Sequence, residues 1–403
     1  MSEAYPFRVA AVGGGAAGFF FAVNLKEMLP EADVTVFEST DKVLSKVLVS
    51  GGGRCNCTNS FENISDLSLC YPRGSRLMKR LFNVFSPRDA YRWFESHGVK
   101  LKTEPDGRVF PLSDDSRTIV NMFLHLAAKY DIHIRLNSAV ESLEELQKHY
   151  NAVCLTTGGT LHGKHINTLI EDKSVLINPV ASLFGLKTDD TELKALSGVS
   201  IDEVCIKIPQ TKIKSCGSVL MTRHGISGPC VLKLTGYAAR FLNERNYKTK
   251  LLVNWAGCND VQAVQRLSET VLQNGNKTIT NYNCFSLPQR FWHYIVCRTM
   301  PLRTDIKYKD LTKKEINRLA DRLCNSEVNI TGRAAGNDEF VTCGGVDINA
   351  VDCNTMQLKT GRNIFLAGEV LDADGITGGF NFQAAWTTAY VAALGVKKLY
   401  KQL

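Results

Sequence analysis

The strongest constraint in this sequence is six residues long. Gly13-Gly14-Gly15-Ala16-Ala17-Gly18 fits G-x-G-x-x-G and stands between two segments of opposite habit. Before it, residues 7–12 are nearly all apolar, as expected of a strand buried on both faces. After it come a helix-compatible run, residues 16–28, and a second short apolar strand, residues 34–38. Strand, glycine turn, helix, strand is the opening of a βαβ unit. A dinucleotide site needs this layout. Gly13 makes the tight turn, Gly15 lets a pyrophosphate approach the backbone, and Gly18 packs helix on sheet. Ala16 and Ala17 open a helix whose free N–H groups and partial positive charge favour the phosphates. Glu38 ends the second strand 20 residues past Gly18, where an acid accepts hydrogen bonds from ribose hydroxyls. An acid at that place disfavours a 2′-phosphate.

Two further glycine clusters extend the pattern. Residues 46–59 read Lys-Val-Leu-Val-Ser-Gly-Gly-Gly-Arg-Cys-Asn-Cys-Thr-Asn. Gly51, Gly52 and Gly53 let backbone approach a flat or anionic group, and Ser50, Arg54 and Asn56 supply polar contacts beside them. Cys55 and Cys57 have Cys70 nearby but no second spaced pair, so they read as structural thiols and no metal is expected. A redox or substrate-facing role is the alternative. A third buried strand, residues 152–156, runs into Thr157-Gly158-Gly159. Near the end of the chain, Gly368-Glu369 leads through Asp374 to Gly378-Gly379-Phe380-Asn381-Phe382-Gln383 and a helix to about Tyr400. A strand ending in Gly-acid, then glycines opening a helix, suits a ribityl chain and an isoalloxazine ring. The acid would take the ribityl hydroxyls, and the helix N-terminus would face the ring edge where negative charge develops on reduction.

A chain of 403 residues supports two or three lobes. With 22% charged and 44% hydrophobic residues it is neither disordered nor fibrous. The longest apolar stretch, residues 9–23, falls short of the ~20 residues of a membrane span and is interrupted by glycines. Only Arg8 precedes it and Glu3 is acidic, so it does not read as a signal peptide. The expectation is a cytoplasmic chain whose 13 cysteines are mostly reduced and buried. Residues 75–97 and 116–130 read as amphipathic helices, with Pro87 entering one. From about residue 174 the texture changes. Residues 174–254 hold short β-rich runs, and residues 255–338 are helical with a return strand, Thr312 and Glu315 forming a capping box. From residue 339 the strand-and-glycine texture of the opening segment, residues 1–173, returns.

Taken together, these segments resemble one family from end to end: the BaiN/YhiN-type flavoproteins, also called aminoacetone-oxidase-like FAD-binding enzymes. The matching residues are Gly13 to Gly18, residues 50–59 and 104–111, Thr157-Gly158-Gly159, Gly225-Ile-Ser-Gly-Pro229, Gly344-Gly345-Val346, Thr355-Met356 and residues 368–383. The Ser-Gly-Gly-Gly-Arg-Cys-Asn element is the most specific. The resemblance implies an α/β fold, a Rossmann-like FAD-binding domain interrupted by an inserted β-barrel-like lobe and a helical lobe, with FAD bound by the first and last segments. Two departures stand out. Residues 160–172 differ from the family's usual loop, so no contacts carry over there. The family's Thr-His-x-Gly is here Thr222-Arg223-His224-Gly225, and a one-residue shift on a strand turns a side chain to the other face.

The expected function is that of an FAD-dependent oxidoreductase of small molecules. In the family's bile-acid reductases hydride passes from NADH or NADPH through the flavin to an activated C=C, such as the enone of a steroid. No second G-x-G-x-x-G with strand and acid occurs in residues 170–403, so the nicotinamide would dock transiently. Arg54, Arg223 and Thr377, with Tyr237 behind them, are the candidates for holding a developing enolate oxygen. Two alternatives stay open. One is an oxidase of a small amine such as aminoacetone. The other is a nucleic-acid-linked flavoprotein, suggested by the net charge of +8 and by Lys307, Lys309, Lys313 and Lys314. Asp310 and Glu315 interleave with those lysines, which reads as a solvated face; the expected partner is a small molecule, with neither nucleic acid nor membrane.

Overall fold

The computed structural model describes residues 6–159, 165–334 and 341–403. The chain divides into two compact units, one of residues 1–180 and 341–403, the other of residues 181–340.

The first unit is built on a seven-stranded sheet. Its strands run in the order Val351–Asp352, Gln357–Leu358, Ile364–Leu366, Ala152–Leu155, Arg8–Val12, Asp33–Phe37, His133–Arg135. The last five are parallel, with Val9 opposite both Val34 and Ala152, and Phe365 opposite Cys154. Val9, Ala10, Ala11 and all of Ala152–Leu155 are fully buried, which explains their unbroken apolar sequence. The helix Ala16–Met28 buries Phe19, Phe20 and Phe21 on successive positions and so has no solvent face to alternate with. It packs against the final helix, Phe380–Tyr400. Phe20 lies 5.1 Å from Trp386 and 4.4 Å from Trp93, the centre of an aromatic core that includes Phe94 and Phe123.

Residues 75–97 are not one helix. They form Ser75–Leu81 and Pro87–Ser96, because Ser86 caps the second helix with Asp89 as its reciprocal partner and Pro87 occupies its first turn. A three-stranded antiparallel sheet, Thr58–Asn59, Arg108–Pro111 and Leu101–Thr103, has segments too short to show a period in sequence.

The second unit holds a closed six-stranded barrel. Its order is Ser200–Lys207, Lys214–Met221, Gly225–Ser227, Leu186–Thr188, Ser326–Arg333, Thr249–Asn254, all neighbours antiparallel. Between the last two of these in sequence come the helices Asp260–Asn274, Gln289–Thr299 and Lys313–Cys324, the last capped by the Thr312–Glu315 box. Trp255, Trp292 and Trp386 are all buried in cores, not offered to a ligand. Eleven cysteines form no disulfide; Cys205 and Cys216, directly opposite in the barrel hairpin, form one that sequence spacing does not announce. Among the described residues no helix is long and apolar enough to cross a membrane.

Candidate functional site

Four parallel strands of the first unit end side by side, and each delivers a predicted site element at its carboxyl end. In such sheets the ligand crevice lies outside these ends. Arg8–Val12 delivers Gly13, Asp33–Phe37 delivers Glu38, Ala152–Leu155 delivers Thr157, and Ile364–Leu366 delivers Gly368. Gly13, at φ +117°, lies so close to the neighbouring strand that a Cβ would stand 2.3 Å from the Thr156 carbonyl oxygen. Gly18 is as tightly held, since its Cβ would meet the Gly13 carbonyl at 2.0 Å. Gly15 faces open space and caps the helix Ala16–Met28 with no side chain over it. Glu38 accepts from the Gly14 N–H at 3.0 Å and from the Thr40 N–H at 2.9 Å, which fixes its carboxylate beside the glycine turn. Thr156, unremarked in the sequence, bonds its hydroxyl to the Val12 and Gly13 carbonyls and ties the turn to the sheet.

The second glycine cluster makes an unusual backbone. Gly51, Gly52 and Gly53 have φ of +57°, +69° and +85° in succession. Three consecutive left-handed residues would cost an L side chain ~1–2 kcal/mol each, so the run must be glycine. The three glycines are exposed, as are Leu48 and Val49 just before them. Ser50 turns the chain, its hydroxyl bonding the Val47 carbonyl. Arg54 points away into its own network: it pairs with Glu104 at 2.7 Å and Asp114 at 3.5 Å and stacks over Phe110 at 4.0 Å. Cys55 and Cys57 are buried, and desolvation pushes the Cys55 thiol up to about 12 and raises that of Cys57 as well.

The third cluster meets the second. Asn56, in the amide orientation that satisfies its neighbours, accepts from the Gly379 N–H at 2.9 Å, and Asn59 donates to the Gly378 carbonyl at 3.0 Å. Gly379, at φ +88°, caps the final helix without a side chain. Glu369 accepts from the Thr342 N–H at 2.8 Å and pairs with Lys46 at 2.7 Å, close to Gly158 and Gly159. Lys46 and Thr342 escape sequence analysis because only the fold brings them to Glu369. Several of the predicted contact residues also have partners within the protein. Asp374 is buried in a pair with Arg73, Gln383 is bonded to Thr58 and Thr387, Phe382 stacks on Trp386, and Asn381 closes the loop at Gly375.

The residues fit FAD. Exposed glycines at 51–53 beside an apolar pair offer a face to a flat ring, and uncapped helix ends at Gly15 and Gly379 offer N–H groups to anions. The hydroxyl of Thr157 is buried and has no hydrogen-bond partner among the described residues, as a group kept for a ligand would be. Of the catalytic candidates, Thr377 sits half-buried in the glycine loop and makes no side-chain hydrogen bond among the described residues. Arg223 and His224 are exposed in the Thr222–Gly225 turn of the barrel, and Tyr237 ends a helix of the same unit. Residues 160–164, in the divergent loop, lie outside the described residues.

Comparison with known proteins adds four findings. The family described as HI0933-like protein, Rossmann domain, matches residues 7–395. A Ribosomal RNA dihydrouridine synthase of Haemophilus influenzae is 27% identical, covering 96% of this chain and 98% of its own. A 3-dehydro-bile acid delta(4,6)-reductase of Clostridium scindens is 24% identical, covering 96% and 98%. Among solved structures, a 3-ketosteroid delta1-dehydrogenase from Sterolibacterium denitrificans, in complex with 1,4-androstadiene-3,17-dione, superposes with a TM-score of 0.48 at 10% identity, covering 98% of this chain and 100% of that one.

Proposed function

The chain belongs to the HI0933-like family, FAD-binding oxidoreductases with a Rossmann domain, and from that premise we propose that it saturates a C=C bond conjugated to a carbonyl, with a uracil ring of RNA as substrate. The observation that carries this is the shared chemistry of two relatives matched end to end. Forming dihydrouridine saturates a double bond beside a carbonyl, and so does reducing the delta(4,6) system of a 3-oxo bile acid. In either reaction a hydride would add to a carbon conjugated with the carbonyl, β in the uracil ring and β or δ in the dienone. A proton would complete the saturated bond, and a two-electron donor such as NADH or NADPH would be oxidised. FAD, when bound, supplies hydride transfer at its N5.

The chain's own residues then divide the work. Glu38 would hold the ribose of FAD, the open N–H groups at Gly15 to Gly18 would take its pyrophosphate, and Thr157 with Gly158 would meet its ribityl side. Thr377, with its hydroxyl uncommitted beside the N-terminus of the final helix, is the donor we assign to the carbonyl oxygen as charge develops there. Arg54 is already bound by two carboxylates and a ring, so its role is to hold the glycine loop in place.

Charge favours RNA over a steroid. Residues 181–340 hold 23 Lys+Arg against 15 Asp+Glu, while the rest of the chain balances at 25 and 25. A bile acid offers such a surplus a single carboxylate, whereas RNA offers a negative charge at every nucleotide. The small-enone reading rests on the bile-acid reductase and remains the second choice. Flavin-loaded protein, NADPH or NADH and unmodified ribosomal RNA, followed by nucleoside mass spectrometry, separates them. A uridine heavier by two hydrogens supports the proposal; no such product, with consumption of a 3-oxo-delta(4,6) steroid instead, moves the assignment to the second reading.

A further inference from the structure

We infer that one end of the barrel, where Lys207, Lys212, Lys214, Lys248 and Lys250 gather, is a docking surface for the sugar–phosphate backbone of RNA; this rests on the RNA reading above. The register puts the five together. Lys207 and Lys214 stand directly opposite each other across the hairpin, and Lys212 lies in its turn, closed by the Ile208 N–H to Ile213 carbonyl bond at 3.0 Å. The neighbouring strand pairs Leu252 with Lys207, so Lys250, two residues earlier, and Lys248, just before the strand, lie alongside that turn.

All five are exposed, and four make no ion pair among the described residues. Lys250 alone is paired, to Glu327 at 3.2 Å, and both side chains are more than 60% exposed, so solvent screens the contact heavily. Asp202 and Glu203 lie at the other end of the strand Ser200–Lys207. Four residues of strand separate Glu203 from Lys207, roughly 13 Å, beyond the Debye length of about 8 Å at physiological salt. Like charges directly opposite on a sheet are destabilising. Here they sit next to the Cys205–Cys216 pair on the same outward face, where the disulfide holds the hairpin closed against the repulsion. A phosphate backbone lying across the turn would turn that repulsion into attraction.

The test is the anisotropy of a fluorescein-labelled single-stranded RNA titrated with the flavin-loaded protein over a range of KCl. Replacing Lys207, Lys212, Lys214 and Lys248 together with Gln should lower the salt slope by about 0.7 per lysine and weaken binding on the order of a hundredfold at 0.1 M salt. A control with Lys307, Lys309, Lys313 and Lys314 changed to Gln should bind as the wild type does. Full flavin content and a melting midpoint no lower than that of the wild type certify both variants. The inference falls if the wild type shows no salt-dependent binding, if the barrel variant keeps the wild-type slope, or if the control loses binding equally. Binding lost in the barrel variant, with no dihydrouridine formed by the wild type, would keep the docking surface and remove the uracil reading.

Discussion

Thr157 holds the most informative single atom of the site. Its Oγ1 is buried with no partner among the described residues, so Thr157→Val removes no hydrogen bond made there. The melting midpoint of flavin-free protein should stay level or rise, while FAD affinity falls about five- to tenfold, the worth of one hydrogen bond of roughly 1 kcal/mol. Calorimetric titration with FAD checks this; unchanged affinity would detach Thr157 from the cofactor. Cys55 supplies a second test. Burial pushes its thiol up to about 12, so iodoacetamide at pH 8 should leave Cys55 and Cys57 unmodified in the native protein and label them only in denaturant. Rapid native labelling, located by peptide mass spectrometry, would mark them as substrate-facing. The sequence does not show that Arg73 stands within bonding distance of Asp374 or Thr58 of Gln383, because only the fold brings those pairs together.

At the scale of elements, the glycine run tests the cradle. A Cβ at Gly52 meets no atom within 4 Å, yet its φ of +69° is strained for a β-branched residue. Gly52→Val should therefore fold and purify colourless; a variant purified with full flavin would show that this loop does not meet the ring. A different junction ties three helices together. His97, ending Pro87–Ser96, bonds Glu27 of the helix Ala16–Met28 at 2.8 Å, and Tyr130, ending Arg117–Lys129, donates to the same carboxylate at 2.9 Å. Burial opposes both charges, but the mutual bonds outweigh it, raising the His97 pKa and lowering that of Glu27. The ion pair's contribution is therefore greatest between the ordinary carboxylate and imidazole values, fading as pH rises through the raised His97 pKa or falls through the lowered Glu27 pKa. His97→Ala should lower the melting midpoint more at pH 6 than at pH 9; an equal or opposite difference would contradict the pair. The helix Ala16–Met28 and the strand beside it were legible because long apolar runs and a glycine turn mark them. The break at residues 82–86 depends on a cap at Ser86, and the two-residue strand Thr58–Asn59 depends on a partner some fifty residues away; neither leaves a periodic trace.

Across the whole molecule, the residues predicted to hold the cofactor and the net charge lie in different units. The nucleotide-binding unit is charge-balanced and carries the FAD fingerprint; the surplus of +8 lies wholly in residues 181–340. The net charge was visible in sequence, but its confinement to one unit emerges only once the unit boundaries are known. The family resemblance was legible throughout, and the chain belongs to that family over residues 7–395. The choice of substrate was not, because a uracil ring and a steroid enone ask for the same electron transfer and differ only in what surrounds the reacting bond. The most direct test is anaerobic and follows the flavin's visible absorbance. NADH or NADPH should bleach it, and unmodified ribosomal RNA, added without oxygen, should restore the colour in proportion to the dihydrouridine formed. A flavin that neither nicotinamide bleaches, or that regains colour only when oxygen is admitted, would contradict the account.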